Sequence, residues 1–285
     1  MTGVHTLSCG ARSLDLTRAV VMGVLNVTPD SFSDGGRYFD TGRALDHALQ
    51  MVAEGATIID IGGESTRPGA AQVSIDEEIR RVIPVIRALR ARTDAYLSVD
   101  TSKPEVMRAA VEAGADIIND VRALQVPGAL AAAASTDAAV CLMHMQGEPA
   151  TMQINPQYVH VVSEVQQFLQ DRVLACNQAG IVRERLLLDP GIGFGKRLEH
   201  NVQLLAHLGE LSELGLPLLI GVSRKSMLGA LLDRPAEQRL FGAVALATSS
   251  VLAGAKVIRT HDVAATRDVV KTAQSLLDAG YRIRE

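Results

Sequence analysis

A parallel (β/α)8 barrel, the TIM-barrel architecture, is predicted by three features of this 285-residue sequence. Short runs rich in Val, Ile and Leu recur eight times, apolar throughout rather than alternating, as in strands buried on both faces. Segments of helical period separate them. A Gly-Ala or Gly-Leu pair precedes several runs (Gly55-Ala56, Gly114-Ala115, Gly215-Leu216, Gly254-Ala255), as where a helix ends on glycine and turns directly into a strand. No Ser/Pro-rich linker or shift in composition divides the chain, so residues 1–285 read as one barrel domain, a size that such barrels commonly reach. An open doubly wound sheet is the structural alternative.

In chain order, residues 1–18 come first, where alternation from Val4 to Leu16 predicts a short strand pair beneath the barrel. The eight strands are placed at Val20–Val27, Thr57–Ile61, Tyr96–Val99, Asp116–Ile118, Ala139–Met143, Leu186–Leu188, Leu218–Val222 and Lys256–Ile258. Between the second and third, Asp76-Glu77-Glu78-Ile79 leads into Val82, Ile83, Val85, Ile86 and Leu89 at helical spacing, with Pro84 placed to kink the helix. The tract Ala129–Ala134 reads as a packed helix. The loop from Asn26 to Gly36 is long and dense in turn formers, as in a lid. A second glycine-rich loop runs from Asp189 to Lys196, but lacks the Walker spacing of a phosphate loop.

Composition narrows the function classes. Hydrophobic residues make up 47% and charged residues 21%, enough for a full globular core. The net charge of -4, without a basic cluster interleaved with aromatics, argues against nucleic acid as a partner. No apolar run reaches membrane-spanning length, and the polar N-terminus lacks the core of a signal peptide, so a cytoplasmic protein is expected. Cys9, Cys141 and Cys176 are an odd set without CxxC spacing, which predicts reduced thiols rather than disulfides or a zinc site.

In such barrels, catalytic groups stand at the C-terminal ends of the strands. Here those ends carry Asn26, Asp60 with Glu64 behind it, Asp100, Asn119 with Asp120, His144, Asp189, Ser223-Arg224-Lys225, and Arg259 with His261. Any single strand can end in a polar residue simply to start a loop; a whole ring of them around one mouth is better explained by a site. Charge divides the ring. Arg224, Lys225, Arg259 and His261 follow the last two strands, the habitual phosphate position, and Arg67 can reach the same anion unless it is a solvated loop arginine. Asp100, Asn119 and Asp189 form the other half, suited to a ring with paired N–H donors, to a general acid/base pair, or to a metal.

The segments GVLNVTPDSFSDGG from Gly23, IDIGGESTRPGA from Ile59, SVDTSKPEV from Ser98, IINDVRAL from Ile117, CLMHMQG from Cys141, LLLDPGIGFGK from Leu186, GVSRKSMLG from Gly221 and IRTHDV from Ile258 together resemble the dihydropteroate synthase family of folate biosynthesis. The resemblance implies a transferase that joins 6-hydroxymethyl-7,8-dihydropterin pyrophosphate to p-aminobenzoate with Mg2+, is inhibited by sulfonamides and works as a homodimer. Carried over motif by motif, it implies that Asp100, Asn119, Asp189 and Lys225 hold the pterin in a pocket lined by Val121, Met143, Phe194 and Gly221. Asn26 would ligate Mg2+ and, with Thr66, Arg67, Arg259 and His261, meet the pyrophosphate. Phe32, Pro68 and Ser226 would border p-aminobenzoate, Ser226 at a helix N-terminus, and Asp34 would stabilise a cationic methylene. Lys225, Arg259 and His261 complete the implied catalytic set.

An aromatic amine is already neutral at pH 7, so the expected difficulty is expulsion of pyrophosphate rather than proton removal. Three rivals share parts of this pattern. A corrinoid-dependent pterin methyltransferase would not need the Ser-Arg-Lys-Ser and Arg-Thr-His segments. A Schiff-base aldolase would need a depressed Lys225, and a silent pterin-binding scaffold would not need Asn26, Arg259 and His261.

Overall fold

In a computed structural model, which describes residues 6–28, 37–65 and 72–282, the chain opens with two short antiparallel strands. These are β1 (Thr6–Cys9) and β2 (Arg12–Asp15), paired from Thr6↔Asp15 to Cys9↔Arg12. Eight parallel strands follow: β3 (Val20–Asn26), β4 (Ile58–Gly62), β5 (Tyr96–Asp100), β6 (Ile117–Asp120), β7 (Ala139–Met143), β8 (Leu186–Asp189), β9 (Leu219–Gly221) and β10 (Val257–Thr260). Their ladder runs β8-β7-β6-β5-β4-β3-β10-β9. A parallel bridge between Leu188 and Leu218 joins its two ends, with the Leu188 N–H donating to the Pro217 carbonyl at 2.9 Å. The sheet therefore closes into the predicted barrel.

Between the strands lie α1 (Arg37–Glu54), α2 (Ile75–Arg90), α3 (Pro104–Glu112), α4 (Ala129–Ala134), α5 (Val161–Gln178), α6 (Leu198–Ala206), α7 (Leu208–Ser212), α8 (Ser226–Leu232), α9 (Leu240–Leu252) and, last, α10 (Val263–Asp278). Gly55, Gly114, Gly215 and Gly254 all have positive φ at the helix-to-strand turns where the sequence places them. Helix α2 runs through Pro84 without a break, capped by the Ser74 hydroxyl. Among the described residues, no helix is long and apolar enough to cross a membrane.

Strict alternation along each strand fixes what faces the barrel axis. Ile59, Ile61, Leu97, Val99, Ile118, Val140, Leu142, Leu188, Ile220 and Ile258 point outward into the helix layer. Met22, Ile58, Ile117, Ala139, Cys141, Leu187, Leu219 and Val257 point inward and pack with Leu7, Cys9, Leu14 and Leu16 of the hairpin. The strand pair thus seals the barrel floor. Arg12 pins it there, donating to Asp116 at 3.1 Å and lying 4.0 Å over the Tyr96 ring. Cys9, Cys141 and Cys176 are buried free thiols.

Several boundaries shift from those expected. The fourth barrel strand is Ile117–Asp120 rather than Asp116–Ile118, and the last is Val257–Thr260 rather than Lys256–Ile258. The cause is that Asn119 and Arg259 belong to the ladder itself, paired as Asp100↔Asn119 and Arg259↔Met22, rather than to the loops beyond it. Their polar side chains stand on closed, rigid backbone.

Candidate active site

Above the apolar floor, the same alternation carries Asn26, Asp60, Asp100, Asn119, Met143, Asp189, Gly221 and Arg259 to the inner face of the barrel. His261, two residues beyond Arg259, shares its face, whereas Thr260 between them is buried on the other side.

Arg259 spans the mouth. Its Nε donates to Asp60 Oδ2 at 2.7 Å and its Nη2 to Asp100 Oδ2 at 2.8 Å. Asp60 is fully buried and also accepts from Ser98 Oγ at 2.6 Å and Asn119 Nδ2 at 3.0 Å. Two carboxyl groups therefore share one guanidinium. Burial, reinforced by the Asp60 charge and only partly offset by Arg259, pushes the Asp100 carboxyl up to about 7. Burial works against the Arg259 charge, but Asp60 and Asp100 outweigh it and hold the guanidinium firmly protonated. The division into an acidic and a basic half does not describe this arrangement, because Arg259, placed with the basic half, bonds to an acidic-half carboxylate.

Across the mouth, Asp189 accepts the Gly191 N–H at 2.7 Å. Burial raises its pKa, opposed by that hydrogen bond and by the charges of Lys225, Lys196 and Arg259. The Lys225 ammonium lies 4.0 Å over the Phe194 ring, a cation–π arrangement. Desolvation lowers Lys225 to about 8, against the pull of Asp189. Val121 and Met143 are buried walls beside these groups, and a cleft of about 460 Å3 opens behind them. At Gly221, an added β-carbon would stand 3.7 Å from Arg259 Cβ, so glycine keeps the space beside Arg259 open.

At the remaining edge, the Ser223 hydroxyl accepts the His261 N–H at 3.2 Å and lies 3.1 Å from His261 Nδ1. Arg224 turns outward to Asp262 at 2.9 Å and is half exposed. Ser226 is exposed at the first position of α8. Asn26 Oδ1 and Asp100 Oδ2 each lie 3.9 Å from where a Gly62 β-carbon would stand. Phe32 and Asp34, with residues 29–36 of the loop read as a lid, and Thr66, Arg67 and Pro68, within 66–71, lie outside the described residues.

Besides Arg224, three strand-end residues do not face the mouth. Asp120 points outward, accepting from Ser102 Oγ and from the backbone N–H groups of Arg122 (2.9 Å) and Leu124 (2.8 Å), and so shapes the loop after β6. His144 lies edge-on to Phe168 with ring centroids 4.8 Å apart. Glu64 is tied to Lys103 at 2.7 Å and accepts the Val73 N–H. Conversely, Asp60 and Lys196 carry more of the architecture than their place in the sequence suggests. Asp60 was visible only as one polar strand end among many, and nothing in the sequence marks its junction with Arg259, 199 positions away. A cleft of about 630 Å3 at the floor is lined by Arg12, Arg90 and Asp116, which already pair with one another.

Residues 22–261 match the family model described as pterin binding enzyme. The dihydropteroate synthase of Escherichia coli K12 is 54% identical over 267 residues, covering 94% of this chain and 95% of the relative. The structure of Yersinia pestis dihydropteroate synthase with a sulfonamide drug complex superimposes with a TM-score of 0.91 at 53% identity, over 96% of this chain and 99% of that one. Xanthomonas albilineans dihydropteroate synthase with 4-aminobenzoic acid gives the same TM-score and identity over 96% and 98%. Barrel, mouth and sequence agree, and the chain belongs to the dihydropteroate synthase family of pterin-binding enzymes.

Proposed function

We propose that the barrel mouth joins 6-hydroxymethyl-7,8-dihydropterin pyrophosphate to p-aminobenzoate, giving 7,8-dihydropteroate and pyrophosphate. The observation that carries this reading is the convergence on one mouth of the acceptors Asp100, Asn119 and Asp189 with the cations Lys225 and Arg259. A flat, nitrogen-rich ring satisfies buried carboxylates through paired N–H bonds. Asp100, Asn119, Asp189 and Lys225 hold that ring, with Val121, Met143, Phe194 and Gly221 around it. The relatives support the second substrate: the Xanthomonas albilineans enzyme holds 4-aminobenzoic acid and the Yersinia pestis enzyme a sulfonamide, its competing mimic. Phe32, Pro68 and Ser226 are assigned to that subsite.

In the reaction the methylene C–O bond breaks and its electron pair leaves with pyrophosphate, while the pterin ring shares the positive charge left on the methylene. The aniline nitrogen then forms the C–N bond and loses a proton. Arg259 has five N–H donors, of which two are engaged by Asp60 and Asp100, so it can hold the pyrophosphate without abandoning the carboxylates. His261 approaches the same anion from the same face, joined by Thr66 and Arg67, and Asp34 is assigned to the developing cation. Lys225, between Phe194 and Asp189, orients the ring for departure.

Among the described residues, no group of three or more His, Cys, Asp or Glu side chains is arranged to cage a metal. The hard amide oxygen of Asn26, open to the mouth beside Gly62, suits instead an ion carried by the pyrophosphate, since Mg2+ keeps substrate oxygens and waters in its shell. Asn26 is therefore the proposed ligand, and Mg2+ would neutralise the leaving anion. Helices α8 and α9 present Leu231, Leu232, Leu240 and Phe241, the last 83% exposed, an apolar face that supports a homodimer.

Titration with the pterin pyrophosphate tests the assignment. Lys225→Ala and Asp189→Ala are each expected to weaken binding about 10- to 100-fold, as for a charged hydrogen bond of about 1.5–3 kcal/mol. Unchanged affinity in both would remove the pterin from this wall. The pH profile of kcat/KM for the pterin substrate should be bell-shaped, because the free enzyme needs Asp100 ionised and Lys225 protonated. Activity should fall as pH drops below about 7, where Asp100 takes up its proton, and again as it rises past about 8, where Lys225 loses its own. A flat profile from pH 6 to 9 would contradict both roles.

A further inference from the structure

Lys196 carries a buried amino group, 3% exposed, with no carboxylate in hydrogen-bond contact, and desolvation lowers its pKa to about 7 against the pull of Asp189. Its Nζ lies 2.9 Å from His144 Nδ1 and donates to the carbonyls of Gly191 (2.9 Å), Phe194 (3.0 Å) and, more distantly, His144 (3.3 Å). In its ammonium form Lys196 can only donate, and then His144 Nδ1 is the acceptor and the ring carries its proton on Nε2. Burial and the Lys196 charge keep that ring neutral, its pKa pushed down to about 2.

Burying a charge among neutral acceptors is costly, and the arrangement persists only where the surroundings are built for it. Here each partner leads to the mouth. Gly191 donates its N–H to Asp189, and Phe194 places its ring beneath Lys225. His144 is fixed in turn by its N–H to the Asp189 carbonyl at 2.9 Å and by the Phe168 ring. The Lys196 amino group thus draws the turn after β8 onto the end of β7.

We propose that Lys196 is a positioning residue for the pterin subsite: its amino group clamps the Gly191–Phe194 turn to His144 and thereby sets Asp189 and the Phe194–Lys225 pair for the ring. The inference rests on the pterin reading above. It assigns Lys196 no contact with substrate.

Lys196→Met retains the unbranched stem and removes the donors and the charge. Binding of the pterin pyrophosphate by titration, the KM of each substrate and Tm would be measured in this variant and in His144→Asn and His144→Leu. Asn keeps an acceptor where Nδ1 stood and Leu removes it. Lys196→Met and His144→Leu are expected to weaken pterin binding about 10-fold or more, the scale of a charged hydrogen bond, with the KM for p-aminobenzoate within about twofold of wild type. His144→Asn should remain near wild type. Should Lys196→Met fail to fold, the two His144 variants decide: equal pterin affinity in both overturns the proposal. So does a folded Lys196→Met with unaltered pterin affinity, or equal KM losses for both substrates. A wild-type protein that binds no pterin would instead defeat the functional reading itself.

Discussion

Arg259→Met should lose about 10²- to 10³-fold in kcat, the effect of removing one preorganised donor from developing negative charge, and about 3 kcal/mol of stability. Both losses come from one side chain. Asp60 is fully buried, and without Arg259 its partners among the described residues are the Ser98 hydroxyl and the Asn119 amide. The stability loss is placed at the low end for a broken buried pair because those two hydrogen bonds remain. Arg259→Lys should recover part of the stability and little of the rate, since an ammonium cannot present the planar fork that reaches Asp60 and Asp100 together. Urea unfolding and steady-state kinetics separate the two effects. A variant with wild-type stability would show that Asp60 does not depend on Arg259.

Gly191→Ala is expected to abolish pterin binding and to destabilise the fold by about 3 kcal/mol or more. The residue has φ +68, and an added β-carbon would stand 1.8 Å from the His144 carbonyl oxygen. That oxygen cannot retreat cheaply, because His144 is held by the Asp189 carbonyl through its backbone and by Lys196 through its ring. The turn must therefore open, taking the Asp189 hydrogen bond and the Phe194 ring with it. Gly209→Ala is the matched control. It lies in α7 with nothing within 4 Å of an added β-carbon, so the change should be neutral or stabilising by up to about 1 kcal/mol. Thermal melts of the two variants, with and without the pterin ligand, check this; comparable behaviour would refute the steric explanation.

The barrel was legible because its strands are continuous apolar runs and its turns repeat a glycine. The same continuity hid which side of each strand faces the axis. Where both faces are apolar, Ile117 and Ile118 look alike, and nothing in Asn119-Asp120 says that the asparagine enters the mouth while the aspartate shapes a loop. Phase emerges only when the ladder closes. The ring of polar strand ends is likewise readable one residue at a time, whereas pairings across the barrel are not, so local sequence places Arg259 with the cations following the last strands and hides its bonds to Asp60 and Asp100. Lys196 reads in sequence as the basic end of a glycine loop; its burial follows from the approach of β7 to β8, which local pattern does not encode.

The decisive measurement is a direct assay of the purified protein with 6-hydroxymethyl-7,8-dihydropterin pyrophosphate, p-aminobenzoate and Mg2+, following both products. One 7,8-dihydropteroate should form for each pyrophosphate released, with a sulfonamide competing against p-aminobenzoate and Arg259→Met slowing both products together. No coupled product at saturating substrate, or pyrophosphate release that does not require p-aminobenzoate, would contradict the assignment of this mouth to the condensation.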